Sequence, residues 1–404
     1  MATQSTKLEL AVEKLVYGGD GLARREREVV LLPYVLPGET VQAQLDGRSR
    51  GVTHAKPLRV LTSAAERTDP GCRFFGRCGG CHYQHASYPM QLAQKRQILA
   101  ETLRRIGKIT PPEEIAIVAA EPWGYRNRTQ LHVDQDRIGF HEAGSNTLFS
   151  VEDCPISSPK LNQALASLRE MSRDSRWPQF LRSLELFTNE SEVQLNILET
   201  GRPLARRFFD WAVESIPGAD AGALEYSACA FEFRVSARSF FQVNRFLLDQ
   251  LVELAVGDHA SDSALDLYAG VGLFSLPMAR RFHRVTAVES NRTAVEDLRF
   301  NAERAEVAVE AVQVSVESFL ESCAAAPDLV LADPPRSGLG KHVVARLAEL
   351  RPPRITIVSC EPTTLARDLS PLLASGYRIE KLHLVDLFPQ TYHIESVVCL
   401  RLSA

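Results

Sequence analysis

The chain has 404 residues, of which 45% are hydrophobic and 24% are charged, a balance typical of ordinary globular proteins. No apolar run approaches the roughly 20 residues that a membrane-spanning helix needs, and the segment from Met1 to Glu9 lacks the apolar core of a signal peptide. We therefore expect a cytoplasmic monomer of two or three domains with no membrane association.

The charge is unevenly distributed along the chain. The net charge of −4 argues against indiscriminate binding of nucleic acid. Residues 1–130, however, hold 19 Lys and Arg against 13 Asp and Glu, whereas the remainder holds 27 against 37. This asymmetry predicts a basic N-terminal part that meets a polyanion and an acidic catalytic part, although a solvated surface without a partner would have the same composition.

Residues 1–62 read as a small β-barrel domain, because short strands alternate with turn signals. The predicted strands are Leu8 to Tyr17, Val29 to Val35 and Thr40 to Leu45. Four basic residues follow that either track a nucleic-acid backbone or solubilise an edge: Arg48, Arg50, Lys56 and Arg59. Through the Gly-Gly-Asp-Gly-Leu-Ala run at 18–23, this segment resembles the TRAM domain, a small RNA-binding barrel.

Three cysteines are crowded together in the spacing Cys72-x5-Cys78-x2-Cys81, and Cys154 is the nearest candidate for a fourth ligand. Four thiolates suit a [4Fe–4S] cluster or structural zinc. The Cys-x-x-Cys-His pattern that ends at His82 also matches covalent haem attachment, but that chemistry leaves Cys72 without a role. We expect an iron–sulfur cluster first and zinc second.

Residues 63–240 are predicted to form a central α+β domain around this cluster. Expected helices are Pro89 to Lys108 and Pro159 to Met171, and expected strands are Arg128 to Val133, Arg137 to Phe140, Leu181 to Thr188, Glu192 to Leu198 and Phe231 to Val235. The basic and aromatic run Tyr125-Arg126-Asn127-Arg128 makes Arg126 and Arg128 candidates for base and phosphate contacts, although strand-entry residues often look similar.

Residues 241–404 alternate strictly between strands and helices, which predicts a doubly wound α/β domain. Strands are expected near 263–267, 284–289, 308–314, 328–332, 354–359, 378–385 and 394–402, and helices near 272–282, 291–304, 315–322, 339–350 and 363–374. Gly270 and Gly272 follow the first strand, and Glu289 ends the second, where an acid can accept ribose hydroxyls. The third glycine of a dinucleotide fingerprint is absent at Ser275, so S-adenosylmethionine is favoured over NAD.

Three chemically active residues end later strands of this domain. Asp333 begins an Asp-Pro-Pro-Arg loop, Cys360 lies between a strand and a helix that starts near Pro362, and Glu395 enters the last strand. A thiol at a helix N-terminus tends to have a lowered pKa. One chemistry uses all three: Cys360 attacks carbon 6 of a pyrimidine, Glu395 removes the proton from carbon 5, and Asp333 holds the ring edge.

Taken together, these motifs resemble the RNA 5-methyluridine methyltransferases over nearly the whole chain. They are Phe-Phe-Gln242-Val-Asn244, Asp-Leu-Tyr268-Ala-Gly270-Val-Gly272, Val288-Glu289, Asp333-Pro-Pro-Arg, Ser-Cys360-Glu-Pro and His393-Ile-Glu395-Ser. Members often have asparagine where this chain has Leu273 and Glu361.

The resemblance implies a class I methyltransferase sheet and a [4Fe–4S] cluster on Cys72, Cys78, Cys81 and Cys154. It further implies cofactor contacts at Gln242, Tyr268, Glu289 and Asp333, and stacking of Phe240 near the target base. The barrel and the cluster are typical of the ribosomal RNA enzymes more than of the transfer RNA enzymes. The partner expected from this resemblance is structured RNA, most of all 23S rRNA.

Other functions remain open from the residues alone. The same chemistry on a tRNA uridine is one alternative. Methylation of a base nitrogen through the Asp-Pro-Pro-Arg loop is another, and it predicts a dispensable Cys360. A non-catalytic RNA-binding or assembly factor is a third, and a redox protein a fourth that leaves several motifs without a role.

Overall fold

The structure, a computed structural model, describes residues 7–49, 51–220 and 222–403. The predictions that concern Met1 to Thr6 and Arg50 lie outside these described residues. The chain divides into two compact units, the first made of Met1–Glu101, His141–Asn146 and Phe388–His393, and the second of Thr102–Phe140, Thr147–Leu387 and Ile394–Ala404. No helix in the described ranges is long and apolar enough to cross a membrane.

The first unit contains the predicted barrel. Its strands are β1 (Lys7–Leu15), β2 (Gly21–Arg25), β3 (Glu28–Leu32), β4 (Thr40–Ser49) and β5 (Val52–Thr62), closed in the order β1-β2-β3-β5-β4. Inward-facing aliphatic side chains such as Leu10, Val30 and Val41 fill its core. Strands β2 and β5 were not expected. At the start of β2 a side chain at Gly21 would collide with Val35 and Val12, so only glycine fits this turn into the strand.

A buried ion pair ties the barrel to the segment that follows it. Glu39 is fully buried, and its carboxylate accepts hydrogen bonds from the backbone N–H of Leu36 at 2.8 Å and from Arg67 Nη2 at 2.8 Å. Because a buried carboxylate is costly unless it is paired, these bonds fix the chain just ahead of the cysteine segment. The paired partners hold the pKa of Glu39 below its usual value, even though burial alone would raise it.

The second unit is built around an eight-stranded sheet. Its strands are β6 (Ala116–Val118), β15 (Ser261–Leu267), β16 (Phe282–Glu289), β17 (Val309–Gln313), β18 (Leu329–Ala332), β19 (Arg354–Ser359), β20 (Tyr377–Val385) and β21 (Glu395–Leu402). The order is β17-β16-β15-β18-β19-β21-β20-β6, and β21 runs antiparallel to both of its neighbours. The helices after Gly257 are α5 (Ser275–Ala279), α6 (Arg292–Arg304), α7 (Val316–Ser322), α8 (Gly340–Leu350) and α9 (Pro362–Ala374).

A second, six-stranded sheet and a hairpin complete this unit. The sheet has the order β12-β11-β10-β7-β8-β9, and β13 pairs with β14. These strands are β7 (Arg128–Asp134), β8 (Arg137–His141), β9 (Leu148–Ser150), β10 (Leu181–Thr188), β11 (Val193–Thr200), β12 (Ala219–Asp220), β13 (Leu224–Ala228) and β14 (Phe231–Val235). The remaining helices of this unit are α2 (Pro159–Met171), α3 (Arg206–Ser215) and α4 (Leu248–Val256), whereas α1 (Tyr88–Arg105) lies mostly in the first unit.

The predicted α/β alternation is confirmed, with differences at particular elements. The helix expected at 272–282 is only Ser275–Ala279, because the preceding turn residues serve the glycine loop. Helix α1 ends at Arg105 rather than at Lys108, and Lys108 adopts a left-handed φ of 55°. Strand β6 lies before the expected start of the last domain yet pairs with β20. The division into domains at 62 and 240 stays a prediction.

Candidate active site

The glycine loop between β15 and α5 forms one wall of the site. Tyr268 has a φ of 64°, a left-handed conformation that is uncommon for a side chain of this size. Gly270 and Gly272 also have positive φ, and a Cβ on Gly272 would lie 2.8 Å from the side chain of Leu276. The loop therefore needs glycine at 272 because the following helix packs directly against its backbone.

Glu289, at the carboxyl end of β16, is held against this loop. Its carboxylate accepts the backbone N–H of Gly270 at 3.0 Å and that of Asn291 at 2.7 Å. Because carboxylate oxygens have further lone pairs, the group can still accept hydroxyls of a nucleoside. Sequence analysis predicted Glu289 as a cofactor contact, and the structure brings it together with Gly270.

Asp266, the second-last residue of strand β15, is a buried acid for which no role was predicted from the sequence. It is fully buried and accepts a hydrogen bond from the Ser275 hydroxyl, while its Oδ1 has no hydrogen-bond partner among the described residues. The pKa of Asp266 is raised to about 7, mainly by burial and in part by the neighbouring Asp333 and Glu289, against the lowering effect of the Ser275 bond. Its place in the Asp-Leu-Tyr motif was the signal that could have singled it out.

Asp333 and Gln242 are joined across the site. Gln242 Nε2 donates a hydrogen bond to Asp333 Oδ2 at 3.0 Å, and the backbone carbonyl of Gln242 accepts one from Asn127 at 3.2 Å. Burial raises the pKa of Asp333 to about 7, against the lowering effect of the Gln242 bond. Two of the predicted cofactor contacts thus come from distant parts of the chain and share one hydrogen bond.

Cys360 lies between the end of β19 and the start of α9, as the sequence predicted. The side chain of Glu361 caps the helix by accepting the backbone N–H of Thr363 at 3.3 Å, a role that asparagine also performs. The expectation of a lowered thiol pKa is wrong for this structure. Burial raises the pKa of Cys360 to about 12, and the nearby carboxyl groups of Glu395 and Asp333 add to the increase.

Glu395 opens β21 beside this thiol. The register of β19 and β21 pairs Ser359 with Ser396. Cys360 and Glu395 are therefore the next residues beyond that pair, one following β19 and the other on β21. Glu395 is only 4% exposed. Burial and the charge of Asp333 raise the pKa of Glu395 well above its usual value, which favours the protonated carboxyl.

Arg336 supplies positive charge at this edge of the sheet. It ends the Asp-Pro-Pro-Arg loop, and its guanidinium lowers the pKa of both Cys360 and Glu395. Arg336 belongs to a motif recognised in the sequence, but no role was predicted for it. The signal that could have indicated a role for Arg336 was a basic residue directly after two prolines. Its distance from the thiol, however, depends on the conformation of the loop.

The predicted RNA-contacting residues have very different environments. Phe240 is 61% exposed, the environment that a stacking platform requires. Arg128 is buried, pairs with Glu185 at 3.0 Å and donates to the carbonyl of Ser239 at 2.9 Å. These contacts are those of a residue that supports the loop of Phe240, so we expect its influence on RNA binding to be indirect.

Arg126 is half-buried, and its backbone pairs with Ser157 and Asn244. Its Nε is buried without a hydrogen-bond partner among the described residues. An unsatisfied guanidinium nitrogen costs free energy unless a ligand supplies an acceptor. This environment is compatible with the predicted phosphate contact, which stays a prediction.

The predicted cluster cysteines fall into both units. Cys72, Cys78 and Cys81 lie in the first unit, and Cys154 lies in the second. The backbone N–H of Gly80 points at the Cys78 sulfur at 3.4 Å, a contact that favours a thiolate. Among the described residues, no group of three or more His, Cys, Asp or Glu side chains is placed to hold a metal ion. The cluster therefore stays a prediction.

Comparison with known proteins agrees with this site. A family model described as tRNA (Uracil-5-)-methyltransferase matches residues 221–403. An uncharacterized RNA methyltransferase of Aquifex aeolicus is 32% identical over 97% of this chain and 98% of its own. The 23S rRNA (uracil(1939)-C(5))-methyltransferase RlmD of Halomonas elongata is 33% identical, with 97% of this chain and 89% of its own covered.

A solved structure is similar over almost the full length. The Pyrococcus abyssi tRNA (uracil-54, C5)-methyltransferase in complex with S-adenosyl-L-homocysteine has a TM-score of 0.75 and 26% identity, and the match covers 97% of this chain and 100% of that one. The thiol, its two neighbouring carboxyl groups and the glycine loop lie in the sequence range that the family model matches. From these similarities and this site, the chain belongs to the family of RNA (uracil-C5) methyltransferases.

Proposed function

We propose that this chain transfers a methyl group from S-adenosylmethionine to carbon 5 of a uridine in 23S rRNA. The observation that carries the proposal is the placement of the Cys360 thiol near Glu395 and Asp333, at the edge of the sheet where β19 ends and β21 begins. A methyltransferase that acts on a nitrogen or oxygen atom does not need a thiol there, because its substrate is already nucleophilic. Carbon 5 of uracil is not, and a covalent adduct makes it so.

In the proposed reaction, the Cys360 thiol first loses its proton to solvent. The thiolate sulfur then forms a bond to carbon 6, and the electron pair of the carbon 5–carbon 6 double bond moves toward carbon 5 to give an enolate. S-Adenosylmethionine, when bound, supplies an electrophilic methyl group to that carbon. A base then removes the carbon-5 proton, and the electron pair left behind re-forms the carbon 5–carbon 6 double bond as the thiolate departs. We assign the proton removal to Glu395, the carboxyl group paired across the strand end from Cys360.

The protonation states of the ligand-free site fit a resting enzyme. The raised pKa of Cys360 keeps its proton on sulfur, and the raised pKa of Glu395 favours the protonated form of that carboxyl. A neutral Glu395 can donate a hydrogen bond toward an incoming pyrimidine, and it becomes a base once it has lost that proton. Arg336 favours the anionic forms of both groups, and the reaction needs those forms.

The residues present also fit the cofactor. The Gly270–Gly272 loop and Glu289 lie at the carboxyl edge of β15 and β16, where nucleosides bind in such sheets. Asp333 and Gln242 form a polar wall on the neighbouring strand end. We assign the ribose hydroxyls to Glu289 and the methionine moiety to the wall that also includes Tyr268.

The preference for ribosomal RNA is supported by the Halomonas elongata relative, which is named for 23S rRNA. Transfer RNA is the second candidate, because the Pyrococcus abyssi structure is that of a tRNA methyltransferase. The decisive experiment compares 5-methyluridine positions in total RNA from cells with and without the gene. A lost modification in 23S rRNA supports the first substrate, and a loss confined to tRNA replaces it with the second.

We further propose that the barrel of β1 to β5 is a TRAM-type RNA-binding domain. Its closed topology and the basic residues of β4 and β5, Arg48, Lys56 and Arg59, support this assignment. Replacing the three with glutamine should weaken RNA binding and flatten its salt dependence, because fewer counterions are released. Unchanged RNA affinity at low salt would argue against it.

The iron–sulfur proposal rests on the spacing of Cys72, Cys78 and Cys81, with Cys154 as fourth ligand. The thiolate donor set suits a [4Fe–4S] cluster, and the Gly80 amide directed at Cys78 suits a bound sulfur. Its role in this proposal is structural. Anaerobic purification followed by iron and sulfide analysis tests it: four iron atoms per chain, lost in Cys78→Ser, are expected for such a cluster. Stoichiometric zinc instead would replace the cluster with a zinc site.

A further inference from the structure

Helix α6 carries a fully buried carboxylate that no step of the reaction uses. Asp297 Oδ1 accepts hydrogen bonds from Arg234 Nε at 2.9 Å and from the Ser236 hydroxyl at 2.7 Å. Its Oδ2 accepts the Ser236 backbone N–H at 2.8 Å and the Ser239 hydroxyl at 2.8 Å. All of these donors lie in the few residues that directly precede Phe240.

One turn further along α6, Asn301 makes a second set of contacts to the same segment. Its Oδ1 accepts the backbone N–H of Arg234 at 2.7 Å, and its Nδ2 donates to the Arg234 carbonyl at 3.1 Å. The same Nδ2 donates to the carbonyl of Val271 at 3.1 Å. Val271 lies between the two glycines of the cofactor loop, so Asn301 touches both the segment before Phe240 and the cofactor loop.

In the segment that precedes and includes Phe240, buried residues lie on both sides of this exposed aromatic residue. Ser239 and Phe241 are each 1% exposed, whereas Phe240 between them is 61% exposed. Arg238 has a left-handed φ of 70°, a strained conformation that persists only when surrounding contacts enforce it. The Asp297 bonds supply such contacts, and they leave the ring of Phe240 facing solvent in the same loop as the exposed Arg238.

Holding a surface loop with a buried carboxylate has a cost in free energy. The carboxylate costs free energy to desolvate and repays this cost only through good hydrogen-bonding geometry with several donors. Aliphatic packing would stabilise the unit equally well, but it would not fix the direction of the backbone at Ser236 and Ser239. Directional bonds are useful where a side chain must be placed accurately relative to a second site.

We propose that Asp297 and Asn301 are positioning residues that hold the loop of Phe240 at a fixed distance from the cofactor loop. Helix α6 begins beside Glu289, so one rigid element connects the ribose-binding acid, the glycine loop and the base-stacking loop. The target uracil is thereby presented to the methyl donor in the reactive geometry. This inference rests on the proposed function and on the stacking role of Phe240.

The test is a double-mutant cycle of Asp297→Asn and Phe240→Ala, measured as steady-state methylation of a uridine-containing rRNA fragment. Asparagine keeps the size of the side chain but loses the charge and half of the acceptor capacity. We expect Asp297→Asn to lower kcat/KM for RNA by about a hundredfold while the Kd for S-adenosylmethionine stays unchanged. In the Phe240→Ala background the same substitution should have little further effect, because the ring that it positions is gone.

Glu296→Gln is the matched control, since Glu296 is the preceding residue on α6 and its side chain pairs with the exposed Arg292. The bond from Arg234 to Glu296 goes to the backbone carbonyl, which this substitution keeps. It should behave like the wild type. Asn301→Ala should weaken both the RNA step and cofactor binding, because Asn301 also bonds to Val271. Additive effects in the cycle, wild-type kinetics of Asp297→Asn, or unaltered cofactor binding in Asn301→Ala would overturn the inference.

If Asp297→Asn does not fold, the same cycle is run with Ser239→Ala, which removes a single donor to the carboxylate. Non-additivity with Phe240→Ala then supports the inference, and additivity overturns it. The wild-type reaction is read first: without 5-methyluridine in its product the proposed function itself fails. A wild type that methylates uridine, combined with an additive cycle, rejects only the positioning role.

Discussion

Cys360 and Glu395 both lie one residue beyond the Ser359–Ser396 pair of the antiparallel strands β19 and β21, close enough for Glu395 to raise the pKa of the thiol. The strand register therefore sets their separation, and no flexible loop intervenes on the Glu395 side. This placement suits the proposed reaction, in which Cys360 and Glu395 act as nucleophile and base on adjacent carbons of one ring.

Cys360→Ala should abolish uridine methylation, with a loss of about a millionfold in kcat, because no other group can form the bond to carbon 6. Methyl incorporation from labelled S-adenosylmethionine measures this. Cys323→Ala, at a thiol that follows α7, is the control and should retain activity. Methylation that persists in Cys360→Ala would favour direct attack by a base nitrogen.

Glu395→Gln should separate the two halves of the reaction. The thiol can still attack and the ring can still take the methyl group. Removal of the carbon-5 proton should be about a hundred to ten thousand times slower than in the wild type. Covalent protein–RNA complex should accumulate, visible as a denaturant-resistant band of lower mobility. Slow turnover without any such band would assign the proton removal to another group.

Arg336→Gln should shift the pH profile of kcat/KM to higher pH. Its guanidinium lowers the pKa of Cys360 and of Glu395, so removing the charge raises both values and reduces the anionic fractions at neutral pH. Each unit of increase costs about tenfold in thiolate. Rates measured between pH 6 and 10 test this, and Arg336→Lys, which keeps the charge, should retain the original profile.

Gln242→Leu should impair the site through Asp333. Losing the 3.0 Å bond removes an interaction that lowers the pKa of Asp333, so its carboxyl becomes more protonated near neutral pH. We expect a coupling of about 1–2 kcal/mol in a double-mutant cycle of Gln242→Leu with Asp333→Asn, from kcat/KM. Independent effects of the two substitutions would mean that the bond has no role in the reaction.

Asp266→Asn should change how stability depends on pH. The folded-state pKa of Asp266 is raised from 3.8 to about 7, so the protonated carboxyl stabilises the fold fully below about pH 4, and this contribution is lost as pH rises through 7. The difference is at most about 4 kcal/mol. Urea unfolding of the ligand-free protein at pH 5 and pH 8 should show a smaller decline for the asparagine variant. An equal decline in both proteins would place the pKa of Asp266 near its usual value.

The α/β alternation and the strand ends that carry the chemistry were readable from local patterns. Short β-branched runs such as Ile355 to Val358 predict buried strands. Successive side chains of a strand point to opposite faces, so a continuous apolar run indicates a strand that is buried on both faces. Parallel strands then place their carboxyl ends at one edge, which made Asp333, Glu289 and Cys360 neighbours by topology. The sequence alone thus determined the fold class and the reaction edge, and it predicts Cys360 as the nucleophile.

Only the tertiary structure decided which charged groups are desolvated and by what. The pKa of Cys360 is raised rather than lowered because segments distant in the chain bury it and bring Glu395 and Asp333 beside it. The motif around Arg128 predicts a contact with RNA. In the structure Glu185 of β10 lies next to Arg128, which supports the loop of Phe240. Local sequence specifies a backbone conformation, whereas electrostatic free energy depends on solvent exclusion by residues far away in sequence, and no local pattern contains that information.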